Sequence, residues 1–162
     1  MARNLMPCSL DRTDTRILDL LQRDGRISNA ELAERVNLSP SACLRRVQRL
    51  EAERVIESYA AVLDPVALGR TLQIFVRVQL ERHDRNSVQS FSAMVAGWPE
   101  VVACWSLTGD MDYLLHVQVA DLAHFNRFLM DELLARADVR DVNSSFVLAT
   151  VKKPAGLPLP AL

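Results

Sequence analysis

Two helix starts set close together, at Ser28 and Ser39, constrain this chain more than any other feature of it. Ser28 is followed three residues later by Glu31, the spacing at which a serine and a glutamate reciprocally satisfy unpaired N–H groups at a helix start. Leu32 and Val36 then recur at i, i+4 on one face. Asn37-Leu38 interrupts the pattern, and asparagine is among the few residues besides glycine that accept a positive φ. Ser39 is a strong N-cap, and Pro40 occupies the first helical position, where its missing N–H goes unneeded. The stretch predicts two short helices joined by a tight turn, a helix-turn-helix.

The second of these helices has two unlike sides. With successive residues ~100° apart, Cys43, Val47 and Leu50 form an apolar stripe, whereas Ser41, Arg45, Gln48 and Arg49 lie opposite and Arg46 flanks the polar face. Arginine grips guanine O6 and N7 in a bidentate way, glutamine pairs with adenine, and small hydroxyls serve several bases or phosphates. Ser39, Ser41, Arg45, Arg46, Gln48 and Arg49 therefore have the chemistry of a major-groove reader, with Arg45 the base reader and Arg49 a phosphate contact. The competing reading is a solvated helix with ordinary surface arginines. Four arginines and no lysine between positions 45 and 54 favour the first reading, because the planar guanidinium suits bidentate recognition.

A formal net charge of −1 looks wrong for a DNA binder until it is divided. Residues 1–63 carry ten Arg against nine acidic residues, and residues 64–162 nine basic against eleven acidic ones, so positive charge gathers on one helix. Phosphate neutralisation supplies much of DNA affinity, so one copy would bind poorly and several modules acting together would compensate. The three cysteines, at positions 8, 43 and 104, are odd in number and form no C-x-x-C; they read as reduced thiols, with Cys43 a small core residue. His83, His116 and His124 lack metal-ligand spacing, and no metal or cofactor is expected. No run approaches the ~18 apolar residues of a spanning helix, and MARNLMPCSL lacks the apolar core of a secretory signal. The expectation is a cytoplasmic protein with no membrane association.

Taken in order, Asp11 or a neighbour opens a first helix, with Ile17, Leu20 and Leu21 at i, i+3, i+4 and Gly25 as the stop. Val55 to Leu63 follows the recognition helix as a short β-rich ribbon. Three helices and a small hairpin make a winged helix-turn-helix over residues 10–63, and DPVALGR, residues 64–70, reads as a connector. From Thr71 the period changes to two: Leu72, Ile74, Val76, Val78 and Leu80 alternate with Gln73, Phe75, Arg77 and Gln79. A helix through Val88, Phe91 and Val95 closes at Gly97. Strands Val101–Leu107 and Tyr113–Val119 flank a turn, and Asp121 caps a helix with Leu122, Phe125, Leu129 and Leu133 on one face and Phe128 adjacent. Val139–Val151 is the last strand. This β-α-β-β-α-β order is the ferredoxin-like arrangement, a four-stranded antiparallel sheet with both helices on one face, over residues 71–152. The overall class is α+β. Phe75 falls on the face left open, which implies burial in a partner. Residues 153–162, Pro-rich, are expected as a flexible tail.

The strings LDRTDTRIL, DGRISNAELAERV, LSPSACLRRVQRLE and SLTGDMDYLL, in this order, resemble the Lrp/AsnC family of transcription regulators over about residues 10 to 152. The resemblance implies a winged helix-turn-helix joined to an amino-acid-sensing ferredoxin-like domain. It further implies dimers formed through the sheet domain, assembly up to octamers, and a small amino acid bound between sensor domains. Arg54 and Ser58 stand where the family often has glycine, which puts the wing geometry in question. Asn37 replaces another frequent glycine.

Thr108-Gly109-Asp110-Met111-Asp112 is the second candidate site. Two carboxylates and a glycine at a hairpin can receive an α-ammonium group, and nearby backbone N–H groups an α-carboxylate; a plain β-turn uses the same residues. The resemblance makes this the effector loop, with Thr108, Gly109, Asp110, Asp112 and Tyr113 around the ligand and Ser144 a further pocket wall. Leu107, Met111 and Leu114 nearby point to leucine, methionine or another aliphatic side chain. The partners expected are double-stranded DNA, that amino acid and further copies of the chain. With no phosphate loop and no nucleophile elbow, an enzyme is supported by fold analogy alone. A purely architectural DNA-packaging role without effector is the other alternative.

Overall fold

Asp11 opens the first helix through reciprocal bonds with Asp14: its carboxylate accepts from the Asp14 N–H at 2.8 Å, and its own N–H donates to Asp14 Oδ2 at 3.1 Å. The structure, a computed structural model, describes residues 9–82 and 84–160; Cys8 and His83 lie outside the described residues. The chain divides into two compact units, one formed by residues up to Val62 together with those from Lys152 onward, the other Leu63–Val151.

In the first unit α1 (Arg12–Arg23), α2 (Asn29–Arg35) and α3 (Pro40–Ala52) enclose a core of Ile17, Leu18, Leu32, Ala33, Val36, Cys43 and Leu50. Ser28 caps α2 and Ser39 caps α3, with Pro40 at its start, as the spacing of the serines predicts, but the reciprocal half of the expected Ser28–Glu31 box is not made: the Glu31 carboxylate accepts from Arg35 Nη2 at 2.6 Å. The turn between them closes on Asn37 at φ 55°, with Asn37 N–H donating to Glu34 O and Leu38 N–H to Ala33 O. This is the left-handed helix stop that glycine usually makes. The same closure recurs after α3: Arg54 takes φ 56°, its N–H donates to Glu51 O, and the Val55 N–H reaches Leu50 O. α1, by contrast, stops at Arg23 with Asp24 extended, and Gly25 does not take a positive φ.

The hairpin expected over Val55–Leu63 does not form within the chain. Val55 and Ile56 close α3, the rest of the segment has no regular secondary structure and no strand pairing, and Asp64 starts a helical turn rather than a second strand. A ribbon needs facing backbone, and here the following residues satisfy one another instead: Arg70 N–H donates to Pro65 O at 2.7 Å, with Gly69 left-handed at φ 68°. Of residues 153–162, expected as a flexible tail, Leu157 is hydrogen-bonded to Gln22 of α1 and Leu159 packs against the core of the first unit.

The second unit contains β1 (Leu72–Leu80), α4 (Arg85–Val95), β2 (Val101–Ser106), β3 (Tyr113–Val119), α5 (Leu122–Arg127) and β4 (Val139–Phe146), with the sheet ordered β2-β3-β1-β4 and every pair antiparallel. The alternation in β1 buries Ile74, Val76, Val78 and Leu80 with Tyr113, Leu115, Val117 and Val119 of β3 beneath Phe91 and Val95 of α4 and Phe125 of α5. α5 runs on as a π-helical turn, Phe128–Leu133. That wider turn puts Phe128 and Leu133 on the buried side with Phe125, while Leu122 is exposed and Leu129 half-buried, so the regular i, i+4 stripe expected from sequence is broken. The other face of the sheet carries Gln73, Phe75 and Arg77 of β1, with Leu114 and His116 of β3 paired alongside.

Candidate functional site

On α3, Ser39 accepts the Ala42 N–H and stands 3.2 Å from Ser41 Oγ, so the cap and the first outward hydroxyl are linked. Ser41, Arg45 and Gln48 are exposed on the side opposite Cys43 and Leu50. Leu44 joins them, 45% exposed. The sequence reading does not name it; its position off the Cys43–Leu50 stripe was the available signal, and an exposed leucine there can meet a thymine methyl group.

Arg46 and Arg49 have a different setting. Arg46 Nη1 donates to Asp11 Oδ2 at 2.6 Å and Asp14 Oδ1 at 2.8 Å, and Arg49 Nη2 donates to Asp14 Oδ2 at 2.5 Å. Asp14 is fully buried, the one charged residue among the described residues that is, and its carboxylate ties α3 to α1. A buried carboxylate persists when its lone pairs are filled, and Asp14 receives two guanidinium donors and one backbone N–H. The Asp14 amide and then the Arg46 guanidinium hold the Asp11 carboxyl below the usual carboxylate range. The orientation of α3 is thus fixed by charge-assisted bonds that leave Ser41, Arg45 and Gln48 facing away from α1.

In the second unit the β2–β3 connection is closed by Leu107 N–H donating to Asp112 O at 2.7 Å, with Gly109 at φ 112°. Only glycine adopts that conformation readily. Asp112 also stitches the loop to β1: its N–H donates to Val78 O at 2.9 Å, and its Oδ2 accepts the Leu80 N–H at 2.7 Å. Thr108 and Asp110 are exposed, and Leu107, Met111 and Leu114 lie about the same turn, at least partly accessible. Tyr113 begins β3 with its ring turned into the core, 4.6 Å from Phe91 between centroids. Ser144 stands elsewhere: it pairs with Val76 on β4 and lines a hollow under α5 with Phe125, Leu129 and Phe146. The structure therefore brings Thr108, Gly109, Asp110 and Asp112 together, sets Tyr113 beneath them, and leaves Ser144 two strands away.

Among the described residues no group of His, Cys, Asp and Glu is arranged to hold a metal ion, and no helix is long and apolar enough to cross a membrane. Two family models match the chain: winged helix-turn-helix DNA-binding over residues 10–57, and the Lrp/AsnC ligand-binding domain over residues 73–157. The leucine-responsive regulatory protein of Salmonella typhimurium is 42% identical over 144 residues, covering 89% of this chain and 88% of that protein. The same-named protein of Escherichia coli K12 is 41% identical over the same shares. A transcriptional regulator of Neisseria meningitidis, solved as a complex with L-Met, superposes with a TM-score of 0.89 at 45% identity, over 93% of this chain and 97% of that one. An AsnC-family regulator from Agrobacterium tumefaciens gives 0.86 at 38% identity, over 92% and 97%. With a helix-turn-helix presenting arginine and glutamine, a ferredoxin-like sensor unit and these relatives, the chain belongs to the Lrp/AsnC family: it is an amino-acid-responsive, DNA-binding transcription regulator, not an enzyme.

Proposed function

We propose that Arg45 and Gln48 read base edges in the major groove, with Ser39, Ser41 and Leu44 beside them. Arg49 meets a phosphate through the part of its guanidinium not turned to Asp14, and Arg46 holds α3 in place. The observation that carries this reading is the division of labour on α3: Arg46 and Arg49 bond to Asp14, while Arg45 and Gln48 are exposed on the far side. Arg45→Ala is expected to cost about 1–3 kcal/mol at one base pair of each half-site and to relax preference there. Operator selection from randomised DNA checks this; an unaltered preference removes Arg45 from the reading role.

The effector is a small amino acid with an aliphatic side chain, methionine or leucine, held at Thr108–Asp112 where sensor units of adjacent dimers meet. Support comes from the paired carboxylates at an exposed glycine turn, the apolar Leu107, Met111 and Leu114, and the L-Met complex of the Neisseria relative. Such a ligand shifts operator binding to the extent that it binds two assemblies with different affinity. A coupling of ~1–3 kcal/mol changes occupancy several-fold. A thermal-shift panel of the twenty amino acids, followed by operator footprinting with each hit, tests the assignment. Asp112→Asn keeps an acceptor for the Leu80 N–H but loses the charge; it is expected to abolish the methionine-induced shift, and full-affinity methionine binding by that variant returns the loop to an ordinary turn.

The assembly is built from dimers joined through the open sheet face, and from these up to octamers. On that face Phe75 stacks on His116 at 5.0 Å, and Trp105, 47% exposed, pairs with Leu114. Aromatic surface of this kind is covered in most soluble proteins. A protein that works on DNA in this way acts in the cytoplasm.

A further inference from the structure

The DNA-binding unit is made from two separate stretches of chain, since residues from Lys152 onward belong to it together with the N-terminal helices. The returning stretch is held by one side chain on α1. Gln22 Oε1 accepts the Leu157 N–H at 2.6 Å, and Gln22 Nε2 donates to Leu157 O at 3.2 Å, so a single carboxamide reads both polar groups of one residue. Beyond it, Leu157, Pro158 and Leu159 line a hollow of about 650 Å³ with Leu18 and Leu21 of α1 and Ile56 and Tyr59 after α3. Leu159 packs against the core of the unit.

The glycine before Leu157 leaves room for the carboxamide that holds the tail. A Cβ at position 156 would stand 2.7 Å from Gln22 Oε1 and 2.8 Å from its Cδ, so a larger residue there must displace the Gln22 carboxamide from Leu157. The segment Gly156-Leu157-Pro158-Leu159-Pro160 also has the composition of a Pro-rich ligand: its prolines restrict the free chain, so less freedom is lost on docking, and its leucines need an apolar, aromatic-lined groove.

We propose that α1 carries a docking site for the chain's own C-terminal segment, built from Gln22 and the Leu18–Leu21–Ile56–Tyr59 hollow, and that docking fastens the DNA-binding unit by a second attachment. The N-terminal helices are continuous in sequence with the sensor unit through the residues before Asp64, and the tail supplies a second covalent connection. A second attachment restricts the orientations that a DNA-binding module samples, and so raises the effective concentration of the other modules on one operator. The occupant is the same chain's tail because that is the segment seated in the site.

The test uses the full-length protein with Gln22→Cys and Gly156→Cys in a Cys8→Ser, Cys104→Ser background. The Cβ positions lie 3.1 Å apart, a few tenths of an ångström inside the ~3.5–4.5 Å that a disulfide spans. On mild oxidation the protein is expected to form a disulfide within one chain, read as a monomer on non-reducing electrophoresis with two thiols lost. A disulfide-linked dimer would show that the site takes a second copy's tail and overturn the proposal, as would the absence of any cross-link in folded protein. Gly156→Val supplies an independent reading. Its C-terminal peptide should exchange amide hydrogens much faster than the wild-type peptide, and its operator affinity should fall several-fold with the helix content unchanged. Equal exchange in the two proteins overturns the docking, and undiminished operator affinity overturns the fastening role.

Discussion

Removing the Asp14 carboxylate takes away the acceptor that Arg46 and Arg49 share, and with it the bond network between α1 and α3. Breaking a buried ion pair by deleting one partner typically costs about 3–5 kcal/mol. Asp14→Ala is expected near the low end, roughly 3 kcal/mol, because Arg46 and Arg49 are 32% and 42% exposed and can turn to water. Urea unfolding of the variant checks this. Arg54 works in the opposite direction. Its φ of 56° is a left-handed conformation that costs a side-chain-bearing residue on the order of 1 kcal/mol. Arg54→Gly should therefore raise the stability of the first unit by up to about 1 kcal/mol, measurable as a higher melting temperature. At this scale the sequence was half legible. Asn37 marks its own positive-φ turn, Arg54 stands out only against the family's usual glycine, and Asp11 reads as a helix opener without its partner Asp14. The burial of Asp14 between two arginines depends on how α1 crosses α3, which no local pattern encodes.

Strands and helices were legible where one periodicity held throughout. The alternation from Leu72 to Leu80 places β1 and its buried face, and the serine caps place α2 and α3. Where two periodicities meet, the reading faltered: the π-helical turn at Phe128–Leu133 shifts which residues are buried, because it answers to packing on the sheet rather than to the helix's own spacing. The ribbon after α3 failed for a related reason, since pairing is a property of two segments and only one is present there. In the candidate effector loop, residue types identified the turn, but the use of Asp112 as an acceptor for Leu80 N–H required the register of β1 against β3. On β3 itself, His116 Nε2 lies 2.8 Å from Gln73 Nε2, and burial pushes its pKa below the ordinary 6.5. A folded-state pKa depressed in this way gives stability that is complete above pH 6.5 and is lost as pH falls from there through the depressed value. His116→Gln keeps a neutral partner for Gln73 and should remove that part of the pH dependence, checked by denaturation at a series of pH values.

For the whole molecule, the open face of the sheet is the surface proposed to decide the assembly state. Phe75→Asp places a carboxylate in the middle of the surface proposed to join two copies, and it is expected to give monomers at micromolar concentration by sedimentation velocity. A Phe75→Asp protein that still sediments as a dimer would move the interface elsewhere.

The pairing of Arg46 and Arg49 with Asp11 and Asp14 reaches beyond the geometry of one helix. Two positive charges on α3 are balanced by two negative charges from α1, so among the described residues of α3 only Arg45 is an arginine without a carboxylate partner. Counterion release therefore gains little from each recognition helix: with Arg45 turned to base edges, the partly neutralised Arg49 is its one phosphate contact, a slope of log K against log salt of about −0.9, not three times that. Binding by one such module is weak and only modestly dependent on ionic strength. The slopes of modules engaged on one operator add, so a regulator assembled from many of them draws both its operator affinity and its sensitivity to salt from the number of helices engaged, and a rise in ionic strength loosens the full assembly far more than a single dimer.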